Sequence, residues 1–202
     1  MPCAATLLVA FAVALPPVEE VTEPQTGVRF AAKSDAGTLL GVGLRVKKIA
    51  FIKAKVYAVG LYVSDAALAG PLAAHRGKPA GPALFNDLVA GDFDKRIVLR
   101  FVRNLGREQI QNAMREALAD RTQAKLLDQF VGYFPELKEG QDCVLRWAPG
   151  GTLDVTMAGQ ARPPIASKDF AAAVFGLYLG DKPLQHDIKQ GLVARVGLAP
   201  GP

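Results

Sequence analysis

Cysteine is nearly missing from this chain of 202 residues: Cys3 and Cys143 stand far apart, so there is no disulfide framework to read. Cys143 is expected to pack as a small buried hydrophobe. Histidine is as scarce, and neither His75 nor His186 has a Cys or carboxylate at ligand spacing, so no metal and no cofactor is expected. The serines, Ser34, Ser64 and Ser167, lie outside any G-x-S-x-G elbow, which argues against a serine hydrolase. Gly41-Val42-Gly43-Leu44-Arg45-Val46 carries two glycines of a dinucleotide fingerprint but has Val46 in place of the third, between flanks that read as sheet. Those glycines are better explained by a bulge or a close backbone approach.

Long apolar runs are also lacking. Ala4 to Leu15, followed by Pro16-Pro17, is too short to cross a bilayer core of about 30 Å, so no stable membrane anchor is expected. The run resembles the core of an export signal with Ala12-Val13-Ala14 near its end, yet no basic residue precedes it. It reads equally as an incomplete targeting region or a flexible tail. We therefore divide the chain into an N-terminal segment, 1–25, and one folded domain, 26–202. The net charge is +5, but the cations are scattered from Arg29 to Arg195 without a basic block, which disfavours nucleic acid as a partner.

Acids are missing where they would be most expected. From Leu39 to Val63 the chain carries Arg45, Lys47, Lys48, Lys53 and Lys55 and no Asp or Glu, in a run of β-branched, aromatic and glycine residues that reads as two strands broken near Ala50 to Lys53. Val28 to Ala32 is a shorter strand before it. After it, Ser64 or Asp65 caps a helix over 66–74 interrupted at Gly70-Pro71, and Pro82 to Ala90 forms another. Lys95 to Arg103 alternates as a strand, with Ile97, Leu99 and Phe101 on one face. Gly106 to Arg121 is an amphipathic helix through Ile110, Ala113, Met114, Ala117 and Leu118, and Gln123 to Phe134 is a further helix. Ala148-Pro149-Gly150-Gly151 turns a hairpin between Asp142–Trp147 and Leu153–Met157. Ser167 caps an almost wholly apolar helix, 168–179, stopped by Gly180. Pro183 opens a last helix, 184–196. This order predicts an α+β domain, a mainly antiparallel sheet with helices on one face.

If the hairpin is centred on Phe51, Arg45 and Tyr57 lie opposite each other on one face. A guanidinium and a phenol converging there suit a carboxylate, the first bidentate and charge-assisted, the second adding one hydrogen bond. The alternative is that Arg45 pairs with an acid elsewhere and Tyr57 is plain core.

Gly43-Leu44-Arg45, Phe51-Ile52-Lys53 and Val56 to Val63 resemble the signature region of the chalcone isomerase fold, an open-faced sandwich. The resemblance extends through Leu105-Gly106-Arg107-Glu108, the Trp147–Gly151 hairpin, Lys168–Gly180 and Asp187–Arg195. In the isomerases an arginine, a threonine, a tyrosine and an asparagine surround the flavanone. Here Arg45 matches the arginine, but Tyr57 replaces the threonine, Gln109 and Glu116 fall at the tyrosine and asparagine, and Leu177 and Tyr178 stand at the late specificity pair. Arg45 with Tyr57 is similar instead to the fatty-acid-binding branch of the fold, a plastid branch. That resemblance implies a non-catalytic monomer that holds a free long-chain fatty acid by its carboxylate and serves fatty acid metabolism. The cleft would be lined by Val59, Leu99, Phe101, Gln109, Ile110, Met114, Phe175, Leu177 and Tyr178, although each apolar residue among them also suits an ordinary core. The competing expectation is a chalcone isomerase, an intramolecular lyase acting on a phenolic substrate. A plastid location follows from the resemblance, an exported one from the apolar N-terminus.

Overall fold

The computed structural model describes residues 19–49 and 51–198. Cys3, the apolar run Ala4–Leu15 with the targeting readings placed on it, and Ala50 lie outside the described residues.

Two long strands, β4 (Gly37–Ile49) and β5 (Ile52–Val63), form the spine. Before them come β1 (Glu20–Thr22), β2 (Arg29–Ala31) and β3 (Lys33–Ser34). β1, within the N-terminal segment 1–25, pairs antiparallel with β2. After β5 come α1 (Asp65–Ala69), capped by Ser64, a short 3-10 turn over Ala73–His75, α2 (Pro82–Ala90) and β6 (Lys95–Phe101). Then follow α3 (Arg107–Leu118), α4 (Ala124–Gly132), the hairpin β7 (Asp142–Ala148) and β8 (Thr152–Met157), and two short strands, β9 (Gln160–Ala161) and β10 (Ile165–Ala166). The chain closes with α5 (Lys168–Leu179), α6 (His186–Gly191) and a 3-10 turn over Val196–Leu198.

The main sheet runs β10-β8-β7-β6-β5-β4-β3 with β9 beside β8, and every neighbouring pair is antiparallel. One face carries the helices. There Val59, Leu61, Ile97, Leu99, Leu145, Trp147 and Val155 meet Leu68, Leu88, Ile110, Phe130, Phe170, Val174 and Ile188 in one buried cluster. On the other face the β1–β2 ribbon covers Leu39, Ala58 and Tyr62 with Phe30. The expected α+β arrangement is observed. The β7–β8 turn places Gly150 at φ 92° and Gly151 at φ 82°, a region that only glycine enters freely.

The last helix differs most from expectation. A single helix over 184–196 is replaced by the shorter α6, because its backbone lies directly on β4. A Cβ on Gly41 would fall 2.1 Å from the Gly191 carbonyl oxygen, so the two glycines allow a contact that no side chain permits. The flanks of α6 are drawn out to serve the strand. Arg195 N donates to Leu40 O at 2.8 Å. The side chain of Gln185 accepts from Val46 N at 3.1 Å and donates to Leu44 O at 3.3 Å.

The core also holds a cation. Lys95 is fully buried, with Nζ 3.9 Å from the Trp147 ring centre, 4.7 Å from Phe93 and 5.3 Å from Phe175, and it donates to Gly91 O at 2.7 Å. Burial pulls its pKa down to about 7 against the opposing attraction of Asp92.

Candidate functional site

Arg45 and Tyr57 are cross-strand partners. The way they meet was not foreseen. At the tip Ile49 faces Ile52, which centres the hairpin before Phe51 and would set Arg45 out of register with Tyr57. A bulge between the Arg45↔Tyr57 and Val46↔Lys55 pairs supplies the missing step, with Val56 as the extra residue. Such a bulge puts two successive side chains on one side of the sheet, and Val56 and Tyr57 both face the same cavity. Backbone groups loosened by the bulge are satisfied: Val102 N donates to Val56 O at 3.1 Å, and Gln185 serves Val46.

That cavity has a volume of about 360 Å³, within the range of small-molecule sites. Its floor is Tyr57, Leu99 and Phe101 on β5 and β6, with Leu105 and Phe134 at one side. Its roof is the apolar stripe of α3: Ile110, Ala113, Met114 and Ala117. Ile110 is buried, yet Ala113, Met114 and Ala117 stay only half-buried, because the stripe faces open space instead of packed side chains. Lys47, Arg103, Gln109 and Glu116 are exposed and form the rim, and Leu184 closes the end near Arg45.

Arg45 is half-buried and donates from Nη1 to Leu184 O at 3.0 Å. Among the described residues it joins no ion pair, so the alternative of a buried acid partner finds no residue to fill it. A guanidinium has five N–H donors, and the carbonyl takes one direction of its fork. Tyr57 is buried beside it. Burial raises its phenol above the ordinary value, partly offset by the hydrogen bond with Tyr178 and the charge of Arg45. Tyr178 is raised well above its own, first by burial and then by Tyr57. Both phenols are therefore protonated at neutral pH, and Tyr57 and Tyr178 meet hydroxyl to hydroxyl at 3.3 Å.

Of the residues expected in a cleft, Leu99, Phe101, Gln109, Ile110 and Met114 line the cavity with Arg45 and Tyr57. Val59, Phe175, Leu177 and Tyr178 do not. They are fully packed: Phe175 stands against Trp147 at 5.9 Å, Val59 lies under Gly43, and Leu177 and Tyr178 are buried on α5. Sequence reasoning missed Lys47, Val56, Arg103, Leu105, Ala113, Glu116, Ala117, Phe134 and Leu184 as lining residues. Strand period carried a signal for two of them, since Lys47 is in phase with Arg45 and Arg103 with Phe101. Among the described residues no group of three His, Cys, Asp or Glu could hold a metal ion.

The profile of the family described as chalcone isomerase-like matches residues 23–194. The chain belongs to the chalcone isomerase-like family. Two curated members of similar sequence come from Arabidopsis thaliana. Fatty-acid-binding protein 2 is 28% identical over 199 residues, covering 86% of this chain and 50% of the relative. Fatty-acid-binding protein 1 is 28% identical over 194 residues, covering 85% of this chain and 68% of the relative. This chain thus spans about half the length of the first. The crystal structure of an Arabidopsis thaliana fatty-acid binding protein superposes with a TM-score of 0.78 at 24% identity, over 89% of this chain and 100% of the other. At that identity the superposition establishes the fold, a curled antiparallel sheet with helices.

Proposed function

We propose that this chalcone isomerase-like chain is a non-catalytic carrier of a free long-chain fatty acid. One observation carries the reading: Arg45, a cation with no acid partner among the described residues, stands against a protonated Tyr57 at the end of an apolar cavity. An ionised carboxylate is what such a pair accepts. The free edge of the guanidinium gives a charge-assisted fork, and Tyr57 can donate one more hydrogen bond when the proton shared with Tyr178 comes from Tyr178. The acyl chain lies along Leu99, Phe101, Ile110, Met114 and Phe134, where its methylenes leave water. The names of the two Arabidopsis relatives support the same ligand class.

The rim weighs against the isomerase alternative. Cyclising a chalcone requires a phenolate positioned for intramolecular attack, which calls for donors around the developing anion. The positions that resemble the isomerase tyrosine and asparagine hold Gln109 and Glu116, and both line the cavity. A carboxylate there repels the phenolate.

Extraction of the protein purified from a heterologous host is the direct test, with titration of the delipidated protein with palmitate beside it. Co-purifying fatty acid and saturable binding are expected. Empty protein in every preparation, or cyclisation of naringenin chalcone clearly above the spontaneous rate, would overturn the reading.

A further inference from the structure

The β4–β5 hairpin ends in an apolar tip ringed by lysines. Phe51 is 100% exposed and Ile52 71% exposed, and they are the exposed large apolar side chains among the described residues. Behind them Lys47, Lys48, Lys53 and Lys55 are all exposed. Lys55 donates to Gln25 O at 2.6 Å. Among the described residues Lys47, Lys48 and Lys53 join no ion pair.

Folding does not account for this arrangement. Lys48 and Lys53 are direct cross-strand partners, and like charges facing each other weaken a strand pair. A phenyl ring left wholly in water contributes nothing to the core. A tip that is unfavourable for the isolated protein calls for a surface that both neutralises the lysines and takes up the ring.

We propose that this tip docks on an anionic lipid surface. Phe51 and Ile52 enter the boundary between headgroups and acyl chains, and Lys47, Lys48 and Lys53 lie among the phosphates. Reversible attachment of this kind needs two signals, an apolar insertion and a basic patch, and the hairpin supplies both. Lys47 also lines the cavity, so the docked tip turns the cavity mouth toward the bilayer. An amphiphile can then pass between membrane and cavity with little exposure to water. The docking stands on the tip alone and does not depend on which ligand the cavity holds. It adds no spanning segment: among the described residues no helix is long and apolar enough to cross a membrane.

The test uses the full chain, delipidated, floated at low salt with vesicles of phosphatidylcholine alone or mixed with phosphatidylserine. The wild type is expected to favour the mixed vesicles at least about a hundredfold and to lose the preference as salt rises. Phe51→Ser with Ile52→Ser is expected to weaken binding about tenfold. Lys47→Gln, Lys48→Gln and Lys53→Gln together weaken it about a hundredfold. Phe51→Trp gives a reporter of insertion, a blue shift on mixed vesicles, since the native Trp147 is buried in the core. No flotation on mixed vesicles, or flotation indifferent to the loss of Phe51 and Ile52, would overturn the proposal. So would sedimentation showing a dimer that the Phe51→Ser, Ile52→Ser variant turns into a monomer, because the tip would then be a contact between copies. The read-out needs no fatty acid, so its failure and a failed palmitate titration are separate results.

Discussion

Tyr57 and Tyr178 share a hydrogen bond of 3.3 Å beneath the cavity, with the Arg45 guanidinium close enough for its charge to act on both phenols. Two buried hydroxyls that face each other have two protons and one contact between them. One O–H is therefore left over, and if Tyr178 donates, the spare proton of Tyr57 is available to a ligand. Tyr57→Phe is expected to lower palmitate affinity by about 1 kcal/mol. It also leaves the Tyr178 hydroxyl buried without its partner, which costs about 1 to 3 kcal/mol of stability. Tyr178→Phe keeps the Tyr57 donor, so affinity should hold within a factor of about two. Calorimetric titration of both variants decides the matter: a larger affinity loss in Tyr178→Phe would reverse the assigned direction of donation.

Arg45→Ala removes the charged half of the clamp and leaves the carboxylate among apolar side chains. The expected loss is about 2 to 4 kcal/mol of fatty-acid affinity, the cost of depriving a desolvated charge of its partner. Arg45→Lys should recover only part of it, because an ammonium cannot present the planar fork that also holds Leu184 O. A Tyr57→Phe loss exceeding that of Arg45→Ala would show that the clamp is wrongly drawn.

Gly41 and Gly191 hold α6 against β4, and through α6 the Gln185 bonds that settle the bulge beside Arg45. Gly41→Ala would place a methyl 2.1 Å from a backbone oxygen that cannot rotate away. The cost should reach or pass the top of the usual overpacking range, about 3 kcal/mol. Ligand affinity should fall with it, because Leu184 and Gln185 shift together with the helix. Chemical denaturation and palmitate titration of the same variant check both halves. Unchanged stability would mean that α6 does not rest on β4.

Alternation and turn chemistry made much of this readable in advance. The β6 pattern, the Gly150-Gly151 turn and the Ser167 cap are local, and local rules govern them. The register of the spine was not local. Nothing in Ile49 to Lys53 marks a turn, and the bulge at Val56 sits on a β-branched residue, where neither propensity nor pattern announces it. Arg45 and Tyr57 face each other although the turn is centred half a residue away from Phe51, because the one-residue shift in register at the tip is offset by the bulge. Gln185 was placed in a helix by its apolar neighbours and is pulled out of it by backbone groups of β4 that a sequence pattern cannot show. Val59, Phe175, Leu177 and Tyr178 have the same chemistry as the lining residues and differ only in depth.

Lys95 is in phase with Ile97, Leu99 and Phe101, and the fold buries it accordingly. Its pKa, about 7 in the folded protein, lies below the unfolded value near 10.4. Between those two values the unfolded chain binds the proton and the folded one does not. Stability therefore rises with pH across that window, and the cost of burying the charge is present in full below about 7. The faces of Trp147, Phe93 and Phe175 favour the ammonium and keep that cost from being larger. Lys95→Met fills the same space without a charge. Denaturant midpoints should rise from pH 6 to pH 9 in the wild type and change less in the variant, with the variant's gain largest at the acid end. Equal slopes in the two proteins would mean that Lys95 keeps its charge throughout, held by the three rings and Asp92 more strongly than burial opposes it.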